Sequence, residues 1–177
     1  MAKSQLSVIR IRSHPGNPRK GLLFAGSAVI PVALGRAGIK ALKREGDGGT
    51  PRGRFRPARL WWRPDRLHRP RTTLPTRRIR PNDAWCEDPE DRRYNRPFQR
   101  LPGEAGDRLR RDDSLYDVIV EIDHNTRPRV ARLGSAVFIH VARPGFGPTA
   151  GCVALRRSDL IALVSRLSRD TRIDVQF

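Results

Sequence analysis

Short segments in which apolar and polar residues alternate lie near both ends of this 177-residue chain, and they constrain its fold more than any other feature. A period of two residues places every second side chain on the same face, which is typical of a strand with one buried face. Val118, Val120 and Ile122 share one such face, and Phe138 and His140 share a face of the next segment. The chain is therefore predicted to fold mainly into β-structure.

Two further segments complete this prediction. Residues 20–34 are predicted to form a hairpin with its turn at Gly26. The segment 158–167 has the period of an amphipathic helix, and Ser158 is its predicted N-cap. The apolar stripe of this helix consists of Leu160, Leu163, Val164 and Leu167. Together the patterns predict a single domain, 1–177, that is mainly β with one late α-helix.

The region 56–111 breaks this pattern. Arginine and proline dominate it, and no apolar period is visible. Long loops of this kind are usually functional lids or disordered segments. We therefore predict a long irregular, partly ordered Arg/Pro-rich insertion or lid within the domain. Its aromatic residues are expected to pack against the fold or to line a substrate cleft, and they are Trp61, Trp62, Trp85 and Tyr94. The turn-rich sequence GDGGTPRGRF before it is expected to lack regular structure.

The composition is strongly basic. Lys and Arg number 36 against 18 Asp and Glu, which gives a formal net charge of +18. Such an excess is typical either of a protein that binds a polyanion or of a solvated basic surface. Because the arginines are spread along the chain without a nucleic-acid-binding motif, nucleic acid is not the expected partner. No apolar run approaches the roughly 20 residues of a membrane span, and no secretory signal peptide is visible at the start.

One of only two cysteines, Cys152, lies in the sequence PTAGCVAL. It is either a small buried apolar residue or a nucleophile whose proton is taken by the imidazole of His140. Gly151 permits a sharp bend that would aim the N–H groups of Gly151 and Cys152 at one point, where they would stabilise an oxyanion. A metal site is the weaker alternative, because the histidines and cysteines are scattered without the short spacing of zinc ligands.

The segment FIHVARPGFGPTAGCVAL contains a histidine on a strand, a loop and a Thr-x-Gly-Cys sequence, and it resembles the active-site segment of the L,D-transpeptidase catalytic domain, also called the YkuD-like domain. The matching residues are His140, Thr149, Gly151 and Cys152. Upstream, GDGGTPRGRF resembles the family's Thr-Pro-x-Gly-x-Phe sequence, with Thr50, Pro51, Gly53 and Phe55 at the matching positions. The resemblance covers residues 22–55 and 114–160.

The resemblance implies a β-sandwich-like fold with the cysteine in a cleft, and a cell-envelope or periplasmic location. It implies chemistry without a metal or another cofactor, and we expect a monomer. Cys152 would attack the carbonyl after an L-centred residue of a peptidoglycan stem peptide, with His140 as base, and Thr149 would shape the loop. The thioester would then pass its acyl group to an amine of a second stem. The crosslink would start from the third stem position or, unusually, from the first; water as acceptor would give carboxypeptidase activity instead.

Three departures from the family pattern leave substrate recognition open. Ala154 replaces an arginine, Val141 replaces glycine or serine, and Ala150 replaces a histidine. The expected substrate-binding residues are therefore Arg143 and Arg156, whose guanidinium groups suit a carboxylate, with Tyr116 and Asn125 near the active strand. The alternatives are an amidase that uses the same cysteine and histidine, and a non-catalytic basic protein that binds cell-wall polymer or nucleic acid.

Overall fold

A computed structural model of the protein describes residues 4–177. In this range the strands are β1 (Val8–His14), β2 (Asn17–Ala25), β3 (Ala28–Ala33), β4 (Ile39–Lys40), β5 (Thr50–Pro51), β6 (Gly53–Phe55), β7 (Pro57–Trp62), β8 (Thr76–Arg78), β9 (Asp83–Trp85), β10 (Pro97–Gln99), β11 (Asp107–Arg108), β12 (Val118–Ile122), β13 (Phe138–Val141), β14 (Val153–Leu155) and β15 (Arg172–Gln176). The α-helix α1 spans Arg157–Val164, and a 3₁₀ turn spans Pro144–Phe146. No helix in residues 4–177 has the length and apolar character needed to cross a bilayer.

Ten strands form one mixed sheet in the order β6-β15-β1-β2-β3-β14-β13-β12-β7-β8. The neighbours β13 and β14 run parallel, whereas β12 is antiparallel to both β13 and β7. A small sheet contains β9, β10 and β11, and β4 pairs with β5. The prediction of a mainly β fold with a late α-helix is confirmed. The predicted hairpin is formed by β2 and β3, whose last pair is Ala25 with Ala28.

The larger apolar core lies against the face of the sheet that α1 covers. Val118, Val120 and Ile122 of β12 belong to it together with Ile139 of β13, as their alternation predicts. Helix α1 packs against these two strands. The helical residues in this core are Leu160, Leu163 and Val164, followed by Leu167 beyond the helix. Because each fully buried aliphatic side chain contributes about 1.5–3 kcal/mol, this core is the main source of stability for the strands that carry the site.

A second core forms on the opposite face of β12 and β13. It contains Trp61 of β7, Trp85 of β9 and Phe138 of β13. Trp61 meets Trp85 edge to face with ring centroids 6.4 Å apart, and Trp85 meets Phe138 in the same way at 4.9 Å. Cys152 belongs to this second core. The small sheet of β9 to β11 therefore packs beside the predicted nucleophile.

The region 56–111 is more regular than its sequence predicts. It adds β7 and β8 to the edge of the main sheet and supplies all of the small sheet. Most of these strands have three residues or fewer, so they offer too few alternating positions for a period to be visible. The aromatic residues of this region are buried, namely Trp61, Trp62, Trp85 and Tyr94.

Two local predictions are wrong. The sequence GDGGTPRGRF contains β5 and β6, because pairings of two or three residues fit between its turns. Helix α1 begins at Arg157 directly after β14, so Ser158 lies inside the first turn and Arg156 occupies the cap position without a side-chain bond. The guanidinium of Arg157 binds the Asp117 carboxylate at 3.0 Å, which fixes the start of α1 to the residue preceding β12.

Candidate active site

The parallel pairing of β13 with β14 brings the predicted nucleophile and base together. The register places Ile139 opposite Val153 and His140 opposite Ala154. Cys152 immediately precedes β14, and its side chain contacts the backbone of β13 at Phe138. Cys152 and His140 line the same cavity, whose volume is about 280 Å³. The pairing of β13 with β14 thus places His140 and Cys152, twelve residues apart in the sequence, beside the same cavity.

Two backbone groups hold the thiol of Cys152. The Phe138 N–H donates to Sγ at 3.3 Å, and the thiol donates to the Ala136 carbonyl oxygen at 3.2 Å. The side chain is buried, and this burial raises the pKa of the Cys152 thiol to about 12, although the Phe138 N–H acts in the opposite direction. In the resting protein Cys152 is therefore a protonated thiol at neutral pH.

The imidazole of His140 is oriented by its own strand. Its Nδ1 lies 2.9 Å from the Val141 carbonyl oxygen. Since a carbonyl oxygen only accepts hydrogen bonds, Nδ1 carries the proton and Nε2 keeps its lone pair. Burial lowers the pKa of His140 to about 4, so the ring is neutral over the physiological range. The lone pair of Nε2 is thus available to accept a proton, and the orientation of His140 needs no carboxylate.

Thr149 shapes the loop that precedes the cysteine. Its hydroxyl donates to the Cys152 carbonyl oxygen at 2.6 Å and accepts the Gly151 N–H at 3.1 Å. The Gly151 amide was expected to point at an oxyanion, but here it points at Thr149 because the tight turn brings the hydroxyl within reach. Gly151 itself has φ +145, and an added Cβ would lie 2.8 Å from the Gly49 carbonyl oxygen. Only glycine fits this approach of the two segments.

The upstream motif supports the same loop. Thr149 donates its N–H to Leu34 and accepts from the N–H of Arg36, both at 2.9 Å. Between them, the Gly35 N–H donates to the buried Thr50 hydroxyl at 2.9 Å. Thr50 therefore fixes the backbone segment that holds Thr149. This explains physically why the Thr-Pro and Gly-Cys sequences belong together although about 100 residues separate them.

Asn95 connects the region 56–111 to the thiol, and sequence reasoning gave no indication of it. Its buried Oδ1 accepts the indole N–H of Trp85 at 2.9 Å and the N–H of Ala136 at 3.2 Å. Its Nδ2 donates to the carbonyl oxygens of His124 at 3.1 Å and Asn125 at 2.8 Å. Ala136 has φ +51, a conformation that is unfavourable for alanine. Asn95 thus fixes the residue whose carbonyl accepts the proton of Cys152.

We expect Asn95→Ala to lower the free energy of unfolding by about 2–6 kcal/mol, since it leaves the buried N–H groups of Trp85 and Ala136 unpaired at about 1–3 kcal/mol each. Denaturant unfolding followed by tryptophan fluorescence measures the change. Asn82→Ala is the matched control, because Asn82 is exposed. An unfolding midpoint of Asn95→Ala equal to that of the control would contradict the role assigned to the Asn95 amide.

Charges of both signs line the cavity. The basic residues are Arg36, Lys43, Arg111 and Arg143, and the acidic residues are Glu45, Glu87 and Asp107. Burial, together with the charges of Asp107 and Glu45, raises the pKa of Glu87 to about 7. Apart from Arg143, these residues could not be identified as cavity residues from the sequence, because they lie in turns and short strands that only the fold brings together.

Tyr116 links the acidic side of the cavity to the base. Its hydroxyl donates to Asp107 Oδ2 at 2.7 Å, and its ring packs edge to face on His140 with centroids 5.3 Å apart. Burial, together with the charge of Asp107, raises the pKa of Tyr116 well above its ordinary value. The phenol therefore remains a hydrogen-bond donor, and it restricts His140 from one side.

The expected substrate-binding residues separate into two groups. Arg143 and Tyr116 line the cavity beside Cys152. Asn125 and Arg156 lie outside its lining in the described structure. The Asn125 amide donates to the carbonyl oxygens of Val130 and Gly134, both at 2.9 Å, and so stabilises its own loop. Arg156 is exposed and its guanidinium lies 5.9 Å from the centre of the Phe146 ring.

The position of the missing family arginine is also defined. Ala154 lines the cavity directly opposite His140 on the neighbouring strand. Its small side chain leaves that wall without a cation, while Arg143 is exposed at the same cavity. Both cysteines are free and buried. Residues 4–177 contain no cluster of three or more His, Cys, Asp or Glu arranged to hold a metal ion.

The comparison with known families agrees with this geometry. The L,D-transpeptidase catalytic domain, YkuD, matches residues 18–175. No curated protein and no solved structure gives a significant match. The family match spans the region 56–111 as well as the two motifs, so it is not limited to the segments around Thr50 and Cys152. With nearly its whole length matched, the chain belongs to the YkuD family of L,D-transpeptidase catalytic domains.

Proposed function

We propose that the protein is an L,D-transpeptidase that uses Cys152 as nucleophile and His140 as general base on peptidoglycan stem peptides in the cell envelope. One observation carries this proposal: a thiol and an imidazole with a free Nε2 line one cavity in a chain of this family. The thiol supplies the nucleophile and the imidazole accepts its proton, which are the two groups that thioester chemistry requires.

The first half-reaction acylates Cys152. The carbonyl that follows the L-centred residue of the donor stem enters the cavity, and the thiol turns from the Ala136 carbonyl toward His140. Nε2 takes the thiol proton as sulfur attacks, and the Phe138 N–H stays in place as a donor to the developing thiolate. The imidazolium then gives its proton to the departing amine of the terminal D-residue. The C–N bond breaks, and the acyl group remains on sulfur as a thioester.

The second half-reaction transfers the acyl group. A neutral amine of a second stem attacks the thioester carbonyl, and Nε2 of His140 takes one proton from the attacking nitrogen. The new C–N bond forms, the C–S bond breaks, and the sulfur regains a proton from the imidazolium. Cys152 and His140 are then neutral again. Thr149 keeps Cys152 in place throughout, because its hydroxyl binds the backbone on both sides of the Gly151 bend.

Arg143 takes over the recognition of a substrate carboxylate. It is exposed beside the cavity, whereas Ala154 occupies the wall where the family carries arginine. A guanidinium group binds a carboxylate through two parallel hydrogen bonds, so a displaced arginine can hold the same group from another direction. This displacement favours a donor geometry that differs from that of relatives with the usual arginine.

Mass spectrometry of purified tetrapeptide muropeptides incubated with the protein tests the function. The expected products are crosslinked dimers and the released terminal D-residue, and fragmentation of the dimers gives the crosslink position. Cys152→Ala is expected to form neither product. Cys86→Ser is the matched control, because Cys86 is the other buried free cysteine and does not line the described cavity.

Other outcomes contradict specific parts of the proposal. Dimers that persist with Cys152→Ala would exclude the cysteine mechanism. Shortened monomers without dimers would indicate a carboxypeptidase or amidase. If neither the wild-type protein nor the variant forms a product, while polymer binding weakens steeply with salt, the protein is a non-catalytic binding protein.

A further inference from the structure

A second cavity lies apart from the one that contains Cys152. Its volume is about 500 Å³, and the two cavities have no lining residue in common. They lie toward opposite ends of β12. Tyr116, which precedes this strand, lines the cavity of Cys152, whereas Glu121 and Asp123 at its other end line the second cavity. No step of the mechanism above uses a residue of the second cavity.

Arginine dominates the lining of this second cavity, which we call the arginine cavity. Its basic residues come from three separate segments of the chain and are Arg56, Arg59, Arg127, Arg129 and Arg169. Arg56 lies 3.7 Å from the exposed carboxylate of Asp170. Within residues 4–177 the other four arginines form no ion pair. The fold thus brings together positive charges that it leaves largely uncompensated.

The two acidic residues of the lining already accept hydrogen bonds from neutral groups. Glu121 accepts the indole N–H of Trp61 at 2.9 Å, and Asp123 accepts the backbone N–H of Arg56 at 2.7 Å. Neither acid forms an ion pair in the described part of the chain. A concave surface with an excess of one sign of charge raises the local concentration of ions of the opposite sign. The arginine cavity therefore attracts anions.

Two of the guanidinium groups are held by contacts with buried residues. The Nε–H of Arg129 donates to the carbonyl oxygen of Asn95 at 3.2 Å, and Asn95 is buried. This bond uses one of the five N–H donors of the guanidinium. The guanidinium carbon of Arg59 lies 5.6 Å from the centre of the ring of Trp61, which is fully buried. These two contacts restrict the guanidinium groups from the protein side.

The loop that carries Arg127 and Arg129 is fixed as well. The side-chain amide of Asn125 accepts the N–H of Val130 and donates to the Val130 carbonyl oxygen, both at 2.9 Å. It also donates to the carbonyl oxygen of Gly134 at 2.9 Å. A site whose groups are held before the ligand arrives loses less conformational entropy on binding. The arginine cavity is thus partly preorganised.

We propose that the arginine cavity binds the phosphate group of a phosphate monoester. Such a group carries up to about two negative charges at neutral pH and has three strong acceptor oxygens, which suit guanidinium groups from three segments. A carboxylate carries one charge on two coplanar oxygens, and a single arginine satisfies it through two parallel hydrogen bonds. It would leave most of the charge of the cavity uncompensated. The proposal does not depend on transpeptidase activity.

NMR titration of the ¹⁵N-labelled full-length protein at physiological ionic strength tests the site. The ligands are glycerol 3-phosphate and glycerate, in which a carboxylate takes the place of the phosphate. We expect saturating shifts of the amide signals from the loop 125–130, with the phosphate bound about tenfold tighter or more than glycerate. Arg127→Gln/Arg129→Gln should weaken phosphate binding about tenfold or more, because hydrogen bonds to a charged group are lost.

Arg78→Gln/Arg80→Gln is the matched control. It removes the same charge with the same spacing, and both arginines are exposed and outside the described cavity lining. This variant should keep the wild-type affinity. Arg127→Gln/Arg169→Gln repeats the test without changing the bond between Arg129 and Asn95, so a loss of binding there does not arise from a displaced Asn95.

Equal weakening by the cavity variants and the control would show that the charge of the whole protein attracts phosphate, and it would overturn the site. Equal affinities for phosphate and glycerate, or no saturating shifts, would do the same. Sedimentation with phosphatidylcholine vesicles that contain phosphatidic acid distinguishes a lipid headgroup from a soluble phosphate monoester. Phosphate binding by a protein that forms no crosslinked product would refute the proposed function and leave this site intact.

Discussion

His140→Ala is expected to slow the acylation of Cys152 by peptidoglycan stems by about 10²–10⁴-fold, the usual contribution of a positioned general base. The reason is that the thiol has a pKa of about 12 and cannot lose its proton near neutrality without an acceptor. Intact-protein mass spectrometry measures the rate at which the acyl-enzyme appears. In the wild-type protein, acylation should fall as the pH drops through about 4, since His140 becomes protonated there.

His68→Ala is the matched control for this experiment, because His68 is exposed and outside the described cavity lining. The alanine at position 140 leaves room for an imidazole molecule, so added imidazole should restore part of the rate. A variant that lacks His140 and still acylates at the wild-type rate would exclude the imidazole as the base. Circular dichroism separates such an effect from loss of folding.

The proximity of Cys152 and His140, the proposed catalytic pair, is predictable from sequence because both residues lie in regular surroundings. The alternation in β13 assigns Phe138 and His140 to one face, and this face is the one that borders Cys152. The Gly151 bend is likewise visible in the sequence, since a glycine beside a reactive residue permits a positive φ. The alternation does not predict that β13 pairs with β14. This parallel pairing joins two strands across a loop, and its register is visible only in the fold.

The supporting residues are not predictable in this way. Asn95 acts through bonds to the indole of Trp85 and to the backbone of Ala136, and these partners are 10 and 41 residues away. Glu87 and Asp107 lie on strands of three residues or fewer, or next to them, where no period develops. Their positions depend on tertiary contacts of the region 56–111, which a proline- and arginine-rich sequence does not reveal.

The region 56–111 therefore forms a structural layer beside the cavity that Cys152 and His140 line. Its Trp85 ring packs on Phe138, whose N–H binds the sulfur of Cys152. Its Asn95 side chain fixes Ala136, which binds the proton of the same thiol. Both hydrogen bonds to the Cys152 thiol thus depend on residues that pack on strand β13 from the region predicted to be an irregular insertion or lid.

Neutral iodoacetamide should alkylate Cys152 about thirtyfold more slowly than an ordinary thiol at neutral pH. A rise of the thiol pKa from 9.0 to about 12 lowers the thiolate fraction about a thousandfold. The more basic thiolate is also more nucleophilic, which restores part of the rate. The rate should rise about tenfold per pH unit up to the thiol pKa. Peptide mapping of the Cys86→Ser protein over a pH series measures it, and the same protein in guanidinium chloride provides the unperturbed thiol.

The pH dependence of this alkylation distinguishes two resting states of Cys152 and His140, an ion pair and a neutral pair. A resting thiolate–imidazolium pair would give a rate that is high and constant above the pKa of the thiolate. A neutral pair gives a slow rate that follows the thiol pKa, as the burial of Cys152 and His140 predicts. In the neutral case the thiol proton reaches Nε2 only as the sulfur attacks the carbonyl. The thiolate then forms only while substrate occupies the cavity. Between turnovers Cys152 stays a buried, neutral thiol, which protects it from small electrophiles.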